Sequence, residues 1–143
     1  MECSSISQLY PIFEEMLNSG RDITFSPDGI SMMPMLRPKT DKVVISRPAR
    51  PLKKHDIVFV KRTDGSLILH RIVRKSGRTL TLCGDGQTKL EKGIDASQVL
   101  GILKGYYRDG QYIIPKSFRY ALYCKTLWMR RIKRRILSKT RNK

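Results

Sequence analysis

A serine and a histidine are the residues of this chain best suited to bond-breaking chemistry. Ser31 lies in the stretch Gly29-Ile30-Ser31-Met32-Met33-Pro34-Met35-Leu36, and His70 lies in the strand-like segment Leu67-Ile68-Leu69-His70-Arg71-Ile72-Val73. A serine hydroxyl becomes a good nucleophile only when a base removes its proton, and imidazole can do so near neutral pH. Taken alone, Ser31 would also fit an ordinary turn and His70 would also fit a structural position in a strand. We predict from their joint appearance that the fold brings Ser31 and His70 together.

Composition indicates one globular domain with a basic appendage. The chain has 143 residues, of which 40% are hydrophobic, enough for a packed core and against global disorder. Its net charge is +17, and residues 116–143 hold eleven of the 29 basic residues and none of the 12 acidic ones. The body is therefore mildly basic, whereas the C-terminal segment is strongly basic.

The cysteines and the hydropathy pattern exclude several classes. Cys3, Cys83 and Cys124 are odd in number, widely separated and without a CxxC pair, which predicts neither a disulfide framework nor a zinc site. No early segment has the shape of a signal peptide, and no run approaches the ~18–20 apolar residues of a membrane span. We expect a cytoplasmic protein without a metal or cofactor, and peripheral attachment at the inner face of the membrane stays open.

The periodicity predicts a helix, then a mostly antiparallel β body, then a second helix. Apolar residues three and four apart indicate a helix over 7–18, whose regular part begins near Tyr10 because Pro11 fits only a first turn. Alternating segments bounded by turns such as Asp64-Gly65 indicate strands. These strands are expected at 22–25, 42–46, 56–61, 67–73, 79–83, 99–103 and 112–114. We divide the chain into an N-terminal helix (1–20), a β domain (21–115) and a basic helix (116–143).

Five ordered blocks resemble the type I signal peptidases and the related self-cleaving repressor-type peptidases. The Ser31 stretch resembles their serine motif, and Asp56-Ile57-Val58-Phe59-Val60 resembles the strand that follows it. Leu69-His70-Arg71-Ile72-Val73 resembles the base-bearing block of the histidine-type enzymes. Gly84-Asp85-Gly86 resembles their Gly-Asp-Asn block, and Val99-Leu100-Gly101 the strand that closes the fold. The likeness spans residues 22–105 and is closest to the small histidine-type signal-peptidase-like proteins.

The resemblance implies a compact β fold and serine-peptidase chemistry. Ser31 would attack a peptide carbonyl while His70 serves as general base and then as acid to the leaving amine. A neutral imidazole with a pKa near ~6.5 could do this without being buried. The Ser31 backbone N–H would hold the oxyanion together with a neighbouring donor. Gly29, Ile30, Met32 and Pro34 would shape this turn and the substrate groove, in which a peptide binds as an extended strand.

The chain also departs from the resembled pattern. Many signal peptidases carry an oxyanion-binding serine two positions before the nucleophile, where this chain has Gly29, and the usual N-terminal membrane anchor is missing. Histidine-type enzymes use a third, acidic residue beyond the Gly-Asp block. Asp85 is the first candidate for that role because it lies in the motif, although it could instead only hold the loop together. Glu91 and Asp95 fit the spacing and stay open as alternatives.

The basic tail predicts an amphipathic helix over 117–139. One stripe holds Phe118, Ala121, Leu122, Met129, Ile132 and Ile136, with Trp128 at its margin and Lys125 interrupting it. Most of the arginines lie on the other side. This pattern is typical of a helix on an anionic membrane surface, which we favour. Nucleic-acid binding is disfavoured because no reading motif accompanies the charge, and a helix docked on the body or a partner remains the structural alternative.

These observations lead to two hypotheses. The first is a serine endopeptidase with a Ser31/His70 dyad that cleaves an extended peptide or precursor protein. The second is a non-catalytic descendant of the same fold that binds peptide or membrane. The presence of both Ser31 and His70 favours the enzyme, because a binding module needs neither.

Overall fold

The computed structural model describes residues 4–141, which form an antiparallel sheet flanked by helices. Two short helices open this part of the chain, α1 (Ser4–Gln8) and α2 (Tyr10–Asn18), and one long helix closes it, α3 (Phe118–Arg141). The predicted start of the first regular helix near Tyr10 is confirmed, with Pro11 in its first turn. Cys3 lies outside the described residues, whereas Cys83 and Cys124 are free and buried.

Eight strands lie between these helices. They are β1 (Ile23–Phe25), β2 (Lys42–Ser46), β3 (Ile57–Lys61), β4 (Leu67–Ser76), β5 (Thr79–Cys83), β6 (Glu91–Asp95), β7 (Val99–Arg108) and β8 (Gln111–Ile113). Their order in the sheet is β1-β2-β7-β3-β4-β5-β6, and β8 pairs with β7. Each pairing is antiparallel. The predicted mainly β, mostly antiparallel fold with a helix at each end is confirmed.

The two faces of the sheet bury two separate apolar clusters. Successive side chains of a strand point to opposite faces, so Phe59 of β3 joins one cluster and its neighbour Val58 joins the other. The larger cluster also takes up Phe13 and Leu17 of α2. It further contains Met32 and Leu36, which anchor the loop that carries Ser31 against the sheet.

Three strands differ from the predicted pattern. Strand β6 was not predicted, because Glu91-Lys92-Gly93 offers little of the β-branched or aromatic character that marks strands. Strands β4 and β7 each extend to ten residues, several beyond the predicted ends. Their extensions pair with β5 and with β2 and β8, so partners rather than local propensity set these ends.

Helix α3 contacts the body through the face opposite its apolar stripe. Tyr123, Cys124 and Leu127 face the body, and the last two are buried. The predicted stripe faces outward: Phe118 is 83% exposed and Ile136 is 62% exposed. An amphipathic helix on a globular body ordinarily buries its apolar stripe. Helix α3 exposes that stripe and contacts the body with its other face.

Candidate active site

The Ser31 loop is fixed by core packing and by backbone hydrogen bonds. Met32 is 2% exposed and Leu36 is 1% exposed, while Ile30 between Gly29 and Ser31 is 72% exposed. The peptide bond preceding Pro34 is cis. A turn hydrogen bond of 3.1 Å from the Met33 N–H to the Ile30 carbonyl crosses Ser31. Ser31 itself is half-buried, so the loop presents it at the edge of the core.

The Gly84-Asp85-Gly86 turn lies directly against this loop. The Gly86 N–H donates a hydrogen bond of 2.8 Å to the Ser31 carbonyl. A Cβ on Gly84 would lie 2.4 Å from the same carbonyl oxygen, and one on Gly86 would lie 2.7 Å from the Ile30 oxygen. These distances are far inside van der Waals contact, so only glycine permits the approach. Two sequence blocks 50 residues apart therefore form one unit.

A small apolar pocket opens beside Ser31. Its volume is about 40 Å³, and its walls include Phe25, Met32, Ile68 and Leu69. One water molecule occupies ~30 Å³ of the liquid, so the pocket has room for a side chain of roughly methyl size. Of the residues assigned to the groove, Gly29 and Met32 line the pocket, whereas Pro34 is exposed and does not.

His70 is buried in β4, and its ring has no polar partner. It pairs with Val58 across the sheet and is only 3% exposed. Neither ring nitrogen has a hydrogen-bond partner within residues 4–141. Burial is the main cause that lowers the pKa of His70 to about 4, and the negative charge of Glu91 opposes this shift. An exposed imidazole with an ordinary pKa was expected; a deeply desolvated one is observed.

Ser31 and His70 are not hydrogen-bonded in this structure, and the Gly84-Asp85-Gly86 turn links their surroundings. His70 lines a cleft of about 1030 Å³ together with Gly86, whose N–H binds the Ser31 carbonyl. Strand alternation puts His70 on the same face as Ile68. The Ser31 pocket lies mainly on the other face, where Phe59, Leu67 and Leu69 line it, and Ile68 is its contact with the face of His70. The predicted meeting of the two side chains stays a prediction.

Asp85 forms a buried ion pair rather than a hydrogen bond to His70. Its two carboxylate oxygens accept hydrogen bonds of 2.8 and 2.7 Å from Nε and Nη2 of Arg71. Both side chains are 0% exposed. The Tyr123 hydroxyl of α3 donates a further bond of 2.9 Å to Oδ2, and Arg134 donates one of 2.5 Å to the Asp85 carbonyl. These contacts hold the turn and α3 in place.

The two other acidic candidates have different surroundings. Glu91 lines the same cleft as His70 and accepts hydrogen bonds from Arg62, the shortest at 2.6 Å. Those bonds lower the pKa of Glu91, so the carboxylate stays charged near His70. Asp95 instead caps a short 3₁₀ helix through the Ser97 N–H and pairs with Arg78. Of the acids that raise the pKa of His70 by their charge, Glu91 therefore has a larger effect than Asp85.

A free backbone edge lies beside these residues. Strand β5 pairs with β4 only from Arg71 onward, while β3 covers the other side from Leu67 to Arg71. Within residues 4–141, no strand pairs with Leu67–His70 on the β5 side. An unpaired strand edge can accept an extended peptide as an additional strand. This edge runs between the Ser31 pocket and the His70 cleft.

Sequence reasoning did not find the part that α3 has in this region. Arg71 donates to the Tyr120 hydroxyl at 2.7 Å and to Cys124 Sγ at 3.3 Å, in addition to its pair with Asp85. Burial raises the pKa of the Tyr120 hydroxyl to about 12. The sequence did contain one indication of these contacts: Tyr120, Tyr123 and Cys124 lie on the otherwise basic face of the helix. That pattern indicates buried polar contacts rather than a solvated face.

Comparison with known proteins leaves the family open, since no protein-family model matches the chain and no curated sequence is significantly similar to it. Among residues 4–141, no helix is both long and apolar enough to cross a membrane. That part of the chain also contains no group of three His, Cys, Asp or Glu side chains placed to hold a metal ion.

Proposed function

We propose that this protein is a serine endopeptidase of the signal-peptidase-like type, with Ser31 as nucleophile and His70 as general base. The observation that carries the proposal is the unpartnered imidazole of His70, buried in a cleft wall beside the turn that binds Ser31. A buried polar group without a partner is costly to maintain. Catalytic sites retain such groups because the missing partner is supplied during the reaction.

The proposed substrate is a peptide in extended conformation. It would pair with the free edge at Leu67–His70 and place its scissile carbonyl at Ser31. A small side chain on the acyl side of that bond would enter the pocket of about 40 Å³. His70 is neutral at pH 7 because its pKa is about 4. It would take the Ser31 proton once its side chain reaches the hydroxyl, and then pass that proton to the leaving amine.

The supporting acid in this proposal is Glu91, because it faces His70 as a charged carboxylate. Asp85 would act as a positioning residue: its pair with Arg71 holds the turn whose Gly86 N–H binds the Ser31 carbonyl. This arrangement differs from a hydrogen-bonded triad, in which the acid contacts the base directly. Glu91 would stabilise the imidazolium through charge alone.

The test is cleavage of a precursor-peptide library followed by mass spectrometry. Intact protein should produce defined fragments with small residues before the cut, and Ser31→Ala should produce none. Ser76→Ala, an exposed serine at the end of β4, is the matched control and should cleave normally. Fragments that persist in Ser31→Ala would exclude this mechanism.

The alternative is a non-catalytic protein that binds peptide along the same strand edge. Ser31 and His70 share no hydrogen bond in the structure, and a binding protein needs none between them. This alternative predicts binding of extended peptides that is equal in intact protein and in Ser31→Ala, with no fragments from either. Peptide binding by fluorescence anisotropy, run on the same library, separates the two functions.

We propose further that α3 attaches the protein peripherally to an anionic membrane surface, on the cytoplasmic side. Its outward stripe includes Phe118, Met129 and Ile132, and the helix carries no acidic residue. Apolar residues flanked by lysine and arginine suit the boundary between headgroups and acyl chains. Two such stripes from separate copies would bring like charges together, which disfavours self-association.

Vesicle co-sedimentation tests this attachment with the full chain, since α3 contributes buried contacts that truncation would remove. Ile132→Asp should reduce binding to vesicles containing phosphatidylglycerol. Ile12→Asp is the control, because Ile12 on α2 is 53% exposed and Ile132 is 49% exposed. Equal loss in both variants, or stripe-dependent dimers in light scattering, would contradict membrane attachment.

A further inference from the structure

We propose that a cavity between α3 and the sheet is a binding site for a phosphate group. The cavity has a volume of about 670 Å³ and adjoins the cleft that contains His70, since Thr88, Leu90 and Lys92 line both. Six cationic side chains line it besides the already paired Arg71: Lys54, Arg74, Lys92, Lys125, Arg131 and Arg135. No Asp or Glu of the described chain is among its lining residues.

None of these six cations is neutralised by the protein. The ion pairs formed within residues 4–141 involve other basic residues. Gathering six positive charges around one cavity is unfavourable in the absence of an anion, because like charges raise each other's energy at short range. The site therefore favours a ligand with more than one negative charge or with several anionic oxygens.

The guanidinium of Arg131 carries the most specific evidence. Its Nε and Nη2 atoms are buried and have no hydrogen-bond partner in the described chain. These two nitrogens form the edge of a guanidinium that binds two oxygens of a carboxylate or phosphate at once. Arg71 uses the same two nitrogens to bind both oxygens of Asp85. The corresponding edge of Arg131 contacts no hydrogen-bond acceptor in residues 4–141.

His55 provides a second buried group without a partner. Its Nδ1 atom has no hydrogen-bond partner in residues 4–141, and the residue lines the same cavity. Burial, followed by the positive charges of Lys54, Arg71 and Arg131, lowers the pKa of His55. The backbone of His55 is fixed by a bond from its N–H to Ile72 and a bond from Arg71 to its carbonyl. The imidazole is thus held in a positive field.

The composition of the walls favours phosphate over carboxylate. Thr81 and Thr88 add hydroxyl groups, which can donate to phosphate oxygens alongside the cations. A single carboxylate would neutralise one of the six charges, whereas a phosphate offers more charge and more acceptors. Trp128 and Ile132 line this cavity and also a shallow apolar groove on the outside of α3. A phosphate linked to an apolar group could occupy both.

Binding of inorganic phosphate to the full chain, at constant ionic strength, tests the site. The thermal midpoint should rise saturably with phosphate for the intact protein. In R131Q/R135Q the affinity should fall by about tenfold or more, because charge-assisted hydrogen bonds are lost. R119Q/K139Q is the matched control: it removes the same charge from the same helix, and neither residue lines the cavity. That control should bind phosphate like the intact protein.

Two results would overturn the proposal. One is the absence of a saturable response in the intact protein; the other is equal weakening in both double variants, which would mean adventitious binding to surface charge only. If R131Q/R135Q does not fold, R74Q/K92Q changes the cavity from the sheet side and should show the same loss. Because Arg74 and Lys92 are both exposed, we expect that second variant to fold normally.

Vesicles distinguish the source of the phosphate. If the ligand is a phospholipid headgroup, R131Q/R135Q should bind phosphatidylglycerol vesicles more weakly than R119Q/K139Q, and glycerol phosphate should compete. If the ligand is a soluble phosphate ester, the cavity variant should lose phosphate binding while both variants bind vesicles equally. Either result supports a phosphate site at Arg131.

Discussion

Arg71 binds Asp85 through two parallel hydrogen bonds of 2.8 and 2.7 Å, with both side chains fully buried. Arg71 follows His70 on β4, and Asp85 lies between the two glycines that contact the Ser31 loop. Tyr120 and Tyr123 of α3 complete the cluster. The pair therefore joins three parts of the candidate site that are far apart in sequence.

Arg71→Gln should destabilise the protein severely. Removing one partner of a buried pair leaves the other charge uncompensated, which costs about 3–5 kcal/mol. Arg78→Gln is the control, because the Arg78–Asp95 pair is largely exposed and such pairs contribute about 0–1 kcal/mol. Urea denaturation measures both changes. Comparable losses in the two variants would show that the buried pair has no special role.

Gly84→Ala should impair the site through the Ser31 loop. The added Cβ would lie 2.4 Å from the Ser31 carbonyl, so the loop or the turn must move. Gly101→Ala makes a similar clash, 2.5 Å from the Ile45 side chain, but inside the sheet. Both variants should be less stable. Cleavage per folded molecule should fall only in Gly84→Ala, by about 100-fold if the loop shifts by an ångström.

The strands and the site blocks could be predicted because their signals are local. A continuous run of β-branched and aromatic residues marks β3, and an Asp-Gly turn separates it from β4, so their pairing followed from the sequence. The Gly84–Ser31 contact had a weaker signal: glycines in a motif indicate close approach but do not say to what. Strand β6 lacks a local signal altogether, because only its pairing with β5 makes it a strand.

The contacts that hold α3 on the body could not be predicted, for a physical reason. The apolar stripe of a helix normally faces the core, and this rule alone would have buried Phe118 and Ile132. The buried ion pair reverses the outcome, because Arg71 finds its hydroxyl and thiol partners on the opposite face, at Tyr120 and Cys124. Such a network depends on positions that are distant in sequence, so helical periodicity does not reveal it.

The pH dependence of cleavage should reflect the desolvated imidazole. A general base works only when neutral, so the acid limb of kcat/KM should lie near pH 4, the pKa of His70, rather than near ~6.5. Glu91 raises the pKa of His70, so Glu91→Gln should move that limb to lower pH. Asp95→Asn is the control and should leave it in place. A limb at the ordinary histidine pKa would contradict burial of His70 in the working enzyme.

Folding stability should fall as the pH drops from about 6.5 towards 4, because of His70. The unfolded chain binds the proton with a pKa near ~6.5, whereas the folded protein binds it only near 4. The stability contributed by the neutral ring is therefore fully present above pH ~6.5. It is lost progressively as the pH falls from ~6.5 to about 4, by about 3 kcal/mol in total. His70→Phe removes this titrating group and should make this part of the profile shallower, while His55, whose pKa burial also lowers, keeps a slope of the same sign. Ser31→Ala, which leaves the imidazole buried, should keep the intact protein's slope in urea titrations at each pH. A slope that is unchanged in His70→Phe would assign the loss to His55 or to another group.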